Sequence, residues 1–174
     1  TLLPEGRGRA AIPWAILRGL PRTGVTLFQL TEGVDSGPIL AQEQVPILLG
    51  ETATTLYAKI SIAHRSLIRR AWPDLLADRL EGWPQEEERA SYWPGRRPDD
   101  GRLFPEMTVE AVDRMVRAVT RPYPGAFIDT NGGRLRIWSG TVEYKGYSPP
   151  PAAVALKFHD GKFWATETQF ESTG

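Results

Sequence analysis

Residues 23–42 read as a strand, a tight acidic-glycine loop and a second strand, and this block constrains the fold more than any other in the chain. Val25 and Leu27 before the loop, and Ile39 and Leu40 after it, supply the aliphatic and β-branched bulk that strands favour. Between them, Glu32, Gly33, Val34, Asp35, Ser36 and Gly37 place two glycines around one aspartate. Glycine lets backbone approach closely and admits positive φ. A carboxylate held there, with bare backbone beside it, suits a site that receives a flat ligand.

The rest of the chain can be arranged around this block. Residues 9–18 fit a short helix, with Pro13 tolerable only in its first turn. Strands are expected over 23–30 and 38–46. A long amphipathic helix should follow from about Thr52, because Leu56, Ile60, Ala63, Leu67 and Ala71 repeat at three- and four-residue steps. Pro73 should break it, leaving Leu75, Leu76 and Leu80 on a shorter helix that ends at Gly82. Residues 82–107 are rich in proline and carry Glu86, Glu87 and Glu88, so they read as an exposed linker.

After the linker the pattern changes. Thr108 should cap a helix bearing Val112, Met115, Val116 and Val119 on one side. From Ala126 onward the chain turns to β. Asn131-Gly132 and His159-Asp160-Gly161 are hairpin signals, and short strands with glycine turns suggest a small open barrel. The expected division is 1–81, linker 82–107, and 108–174.

Composition limits the function classes. The chain has 174 residues and no cysteine, which excludes thiol and disulfide chemistry and fits a cytoplasmic protein. No apolar run approaches the ~18 residues that span a bilayer, so no membrane partner is expected. Twenty-one basic residues balance 21 acidic ones, and neither half is basic, which argues against a large nucleic-acid footprint. The two histidines, His64 and His159, lie on the amphipathic helix and in a turn, without acidic neighbours at ligand spacing, so no metal is expected.

Block 23–42 resembles the folate-dependent formyltransferases, which move a formyl group from 10-formyltetrahydrofolate to an amine. Residues 2–16, Leu-Leu-Pro-Glu-Gly-Arg-Gly-Arg-Ala-Ala-Ile-Pro-Trp-Ala-Ile, are similar to the same family's Leu-Pro-x-x-Arg-Gly…Trp-Ala signature. Residues 96–101 followed by 120–127 look like the junction and start of its C-terminal domain. The resemblance implies an α/β fold: the C-terminal part of a Rossmann-like formyltransferase domain, joined to a small OB-like β-barrel domain. It also places an Asn-x-His immediately before Thr1. On that expectation the chain is a fragment lacking the N-terminal half, and inactive alone.

The resemblance assigns Asp35 as the catalytic carboxylate, orienting the His and assisting proton movement. It assigns Glu32, Gly33, Val34 and Asp35 to the folate cosubstrate. The competing readings are that Asp35 only fixes a turn and that 32–34 form a solvated loop. Arg7, Gly8 and Arg9 could form an anion site, although Gly6 stands where the family usually has Tyr and Ala11 where Pro is common. A structural pairing by Arg7 is the alternative. Trp14 fits the core or a ligand platform. Tyr92 and Trp93 with Arg96 and Arg97 could hold a nucleotide base and its phosphates, or lie in a solvated linker. The implied acceptor is the primary amine of a nucleotide-linked amino sugar. Methionyl-tRNA is the runner-up, a non-catalytic binding module is the alternative of another class, and a homo-oligomer is left open.

Overall fold

The structure is a computed structural model that describes residues 1–172. The chain divides into two compact units, Thr1–Leu49 with Thr55–Arg96, and Gly50–Thr54 with the chain from Arg97 on.

The first unit contains β1 (Arg7–Gly8), α1 (Ala11–Leu17), β2 (Arg22–Phe28), β3 (Ile39–Pro46), most of α2 (Ala53–Leu76) and β4 (Tyr92–Trp93). Pro13 occupies the first turn of α1, where its missing N–H has no helical partner to lose. β2 and β3 pair antiparallel from Arg22↔Pro46 to Phe28↔Ile39. The Rossmann-like domain that the resemblance implies is built on a parallel sheet, whereas these two strands form an antiparallel pair. Side-chain alternation reports which face is buried, and it carries no information on strand direction. Parallel pairing occurs between β1 and β4, two residues each.

α2 buries Leu56, Ile60, Ala63, Leu67 and Ala71 along the face read from the sequence. The break expected at Pro73 does not occur, and the helix runs on to Leu76. Proline there forfeits one bond near the helix end, and Ala77 N–H still reaches Pro73 O at 3.2 Å. The shorter helix expected from Leu75 to Gly82 is absent, because Asp78 turns the chain at φ 52.

Residues 82–107 are largely exposed, as a linker would be, but the first part of this stretch is tied down by backbone pairing. Trp83 exchanges two backbone bonds with Ile39, and Tyr92–Trp93 form β4, so residues up to Arg96 belong to the first unit. Paired backbone, rather than composition, decides where this segment lies.

The second unit holds α3 (Val109–Val119), β5 (Ala126–Thr130), β6 (Gly133–Val142), β7 (Val154–Phe158) and β8 (Gly161–Ser172). The strands form one curled antiparallel sheet in the order β5-β6-β8-β7. Both expected hairpins are present, at Asn131–Gly132 and at His159–Asp160. α3 packs its buried residues Val112, Val116 and Val119 with Phe127, Ile137 and Phe163 in the core of this unit.

Thr108 is the N-cap of α3, its hydroxyl accepting from Ala111 N–H at 3.2 Å, while Asp160 accepts from Val109 N–H at 2.8 Å. Thr108→Ala should therefore cost about 1 kcal/mol, the usual worth of a hydroxyl cap. Urea unfolding measures it. An unchanged midpoint would mean that Asp160 alone satisfies this helix end.

Candidate functional site

The loop between β2 and β3 closes on itself before anything else touches it. Gln29 N–H donates to Pro38 O at 2.9 Å, and the Thr31 and Ser36 hydroxyls meet at 3.1 Å. Gly37 lies against the Gln29 carbonyl so tightly that a Cβ would collide with it, which is why glycine stands there. Glu32, Gly33 and Val34 form the exposed outer bend.

Asp35 takes a left-handed conformation, φ 49. Aspartate tolerates this region better than most residues, but it still needs support. The support comes from two directions. Gly8 N–H donates to one Asp35 carboxylate oxygen, Oδ2, at 2.8 Å. The Gln85 amide donates to Asp35 O at 2.8 Å and to Gly37 O at 2.7 Å. The second carboxylate oxygen of Asp35 accepts no hydrogen bond among the described residues.

Gly8 can serve Asp35 because it has no side chain. Its φ is 107, and a Cβ would sit 2.5 Å from Trp93 O. The β1–β4 pairing fixes the strand, with Arg7 N–H on Ser91 O at 2.8 Å and Arg9 N–H on Trp93 O at 3.0 Å.

Arg7 is completely buried, with 0% of its surface exposed. All five of its N–H groups are used. Nε and one terminal nitrogen bond Gln85 Oε1 at 3.1 and 2.9 Å. The two terminal nitrogens fork onto the Glu87 carboxylate at 2.8 and 2.9 Å, and one also reaches Tyr92 OH at 2.8 Å. A guanidinium so committed has no donor left for an outside anion. The structural pairing weighed from the sequence describes its place.

The hydrogen bond to Glu87, then that to Tyr92 and the Glu87 charge, outweigh burial and raise the Arg7 pKa; the Arg7 hydrogen bond lowers that of Glu87. Glu87 binds fewer protons in the folded state than in the unfolded one. Its contribution is thus fully present above the ordinary glutamate value of 4.5 and is lost as pH falls through the lowered folded value. Glu87→Gln should make the melting temperature less sensitive to acid as pH falls below the ordinary glutamate value of 4.5. Parallel acid limbs for the two proteins would contradict the pairing.

Trp14 is neither plain core nor bare platform. Its indole N–H donates to Pro94 O at 2.8 Å, and the Arg96 and Arg18 guanidiniums lie 5.0 and 5.7 Å from its ring centroid. Arg18 also lies 5.5 Å from the buried Trp93 ring. The Arg9 stem runs beside Gly95. Arg18, Trp14 and Arg96 thus form a cationic aromatic cluster on the first unit, with Arg9 beside Gly95. Arg97 belongs to the second unit, where its N–H bonds the Asp100 carboxylate at 2.6 Å. His64 and His159 are exposed. A cleft of about 400 Å³ lies beside Gln85 and Trp93, and Asp35 does not line it.

Sequence reasoning missed Gln85, Glu87 and Arg18. A glutamine flanked by proline and glutamates offers no local signal, because its partners are about fifty and eighty residues away in sequence.

Two protein-family models match the chain. One, described as formyl transferase, matches residues 1–71. The other, described as formyl transferase, C-terminal domain, matches residues 97–169. HypX from Aquifex aeolicus in complex with tetrahydrofolic acid is 22% identical, with a TM-score of 0.77 over 97% of this chain and 31% of that one. An N-formyltransferase from Helicobacter canadensis, in complex with folinic acid and dTDP-3-aminofucose, is 23% identical at a TM-score of 0.73, over 94% and 62%. Methionyl-tRNA formyltransferase from Clostridium thermocellum is 22% identical at 0.70, over 99% and 66%. At these identities the likeness is one of fold. The chain spans about a third of the HypX chains.

Proposed function

The chain belongs to the formyl transferase family, and from that premise we propose that it serves the transfer of a formyl group from 10-formyltetrahydrofolate to the primary amine of a nucleotide-linked amino sugar. The observation that carries this reading is Asp35: a carboxylate with one oxygen anchored on Gly8 N–H and the other unbonded among the described residues, in a loop held from outside.

In the reaction the amine nitrogen attacks the formyl carbon, the carbon–N10 bond of the folate breaks, the amine loses a proton and N10 gains one. The products are a formamide and tetrahydrofolate. Asp35 is placed to take or hold the moving proton, directly or through a neighbouring base. Glu32, Gly33 and Val34 offer backbone donors and acceptors of the kind that a pterin edge matches. Arg9, Trp14 and Arg96, joined by Arg18, offer an aromatic face and cations to a base and its phosphates. The same reading takes the first unit as part of a Rossmann-like domain and the second as OB-like, in a cytoplasmic enzyme. The Helicobacter relative, with its bound folinic acid and dTDP-3-aminofucose, supports the cosubstrate and the acceptor class.

Transfer to methionyl-tRNA is the second reading, favoured by the Clostridium relative that covers 99% of the chain. Formyl transfer by the full-length enzyme, measured in parallel on dTDP-3-aminofucose, a dTDP-4-amino sugar and methionyl-tRNA, separates the two. A kcat/KM highest on a sugar nucleotide is expected. Transfer to methionyl-tRNA alone would replace the acceptor assignment, and transfer to none of the three would favour a non-catalytic binding module.

A further inference from the structure

We propose that Gln85 is a positioning residue for Asp35, its side-chain amide holding the carboxylate-bearing turn in the productive conformation. This rests on the reading of Asp35 as the reacting carboxylate. Each polar capacity of the Gln85 amide is used, and each use has a direction. Its NH2 group donates to two carbonyls, Asp35 O and Gly37 O. Its Oε1 accepts two N–H groups of the buried Arg7. Two carbonyls need donors and a guanidinium needs an acceptor, and a neutral carboxamide supplies both from one planar group. Glutamate at this position would still suit Arg7 but would face two carbonyls without a proton. Methionine would fill the space and bond to neither side.

The amide thus ties three separate pieces of chain together. Gly37 cannot shift freely because its backbone abuts Gln29. Asp35 stays at φ 49 while its own carbonyl is held. Arg7 is fixed by Glu87 and Tyr92 on its far side, so the amide is not free to swing. Arg7 also precedes Gly8, whose N–H anchors the Asp35 carboxylate. Gln85 therefore braces Asp35 twice: directly through the turn, and indirectly through the strand that carries the anchoring amide. A residue acting this way changes the placement of the carboxylate and leaves the contacts of folate and acceptor in place. Its loss should appear in kcat rather than in KM.

A double-mutant cycle in the full-length enzyme tests this, with 10-formyltetrahydrofolate as donor and the most active of the three named acceptors. Gln85→Ala and Gln85→Glu should each lower kcat on the order of 10²-fold, the usual cost of misplacing a reacting group by about 1 Å, with KM for the folate changed less than about threefold. In an Asp35→Asn background, Gln85→Ala should cost less than about twofold more, because the group it positions is gone. An equal loss in both backgrounds would show a general structural role and overturn the inference. So would wild-type kcat in Gln85→Ala when Asp35→Asn is slow. Wild-type kcat in Asp35→Asn would instead overturn the reading of Asp35. Gln85→Met, which keeps the volume, covers the case in which the alanine variant does not fold. In its crystal structure the Asp35 carboxylate should leave Gly8 N–H, and an unmoved turn would count against the proposal.

Discussion

Asp35→Asn should lower kcat of the full-length enzyme on the order of 10³- to 10⁴-fold, by analogy with carboxylates that orient a catalytic histidine elsewhere. The substitution is unusually clean here. Asn tolerates the left-handed φ that Asp35 adopts, and its carbonyl oxygen can accept the Gly8 N–H as the carboxylate does. The bonds from Gln85 go to backbone carbonyls and are untouched. The turn should survive, and folate affinity should stay within a few-fold. What disappears is the negative charge and the capacity to accept a proton. Asp35→Ala should be equally slow, because it removes the same charge and the same proton acceptor. A residue that only shapes the turn gives the opposite pattern: Asn nearly silent and Ala mildly disruptive. Steady-state kinetics, with 5-formyltetrahydrofolate affinity measured separately, distinguishes the two patterns.

Arg7→Met should destabilise the first unit by about 2–4 kcal/mol, a large share of the stability of an ordinary domain. Glu87 is 71% exposed and regains water, so little is lost there. Gln85 Oε1 and Tyr92 OH lose a charged donor, and the volume vacated by the guanidinium head is only partly refilled. Arg7→Lys keeps the charge but cannot fork onto Glu87 and Gln85 together, so it should restore only a minor part of the loss. Urea unfolding of the three proteins checks the order. A lysine variant as stable as wild type would mean that charge alone matters at this position.

The parts of this molecule that were legible in the sequence are those with local causes. The glycines around Asp35 announced a tight loop because close approach leaves glycine no substitute. Thr108 and the Asn131–Gly132 turn were readable because caps and hairpins are written within a few residues. The buried face of α2 followed from spacing alone. What failed depends on distant partners. β2 and β3 look alike whether they pair parallel or antiparallel. Pro73 looks like a stop, yet near the end of a long helix it removes little. Residues 82–93 look solvated because proline and glutamate dominate. Most of them are exposed, yet they are tied to β3 through Trp83, to the Asp35 loop through Gln85, and to β1 through Glu87 and Tyr92. At the site, Asp35 stood out from its loop, whereas the amide that braces it could not be seen without the fold.

Isotope tracing tests formyl transfer to an amine most directly. Full-length enzyme is supplied with 10-formyltetrahydrofolate labelled in the formyl carbon, together with dTDP-3-aminofucose, a dTDP-4-amino sugar and methionyl-tRNA. Mass spectrometry of the products should find the labelled formyl group in amide linkage on one acceptor, with an equal amount of tetrahydrofolate formed, and almost none with Asp35→Asn. Label that stays on the folate, or that leaves only as formate while every acceptor remains unmodified, would contradict the account.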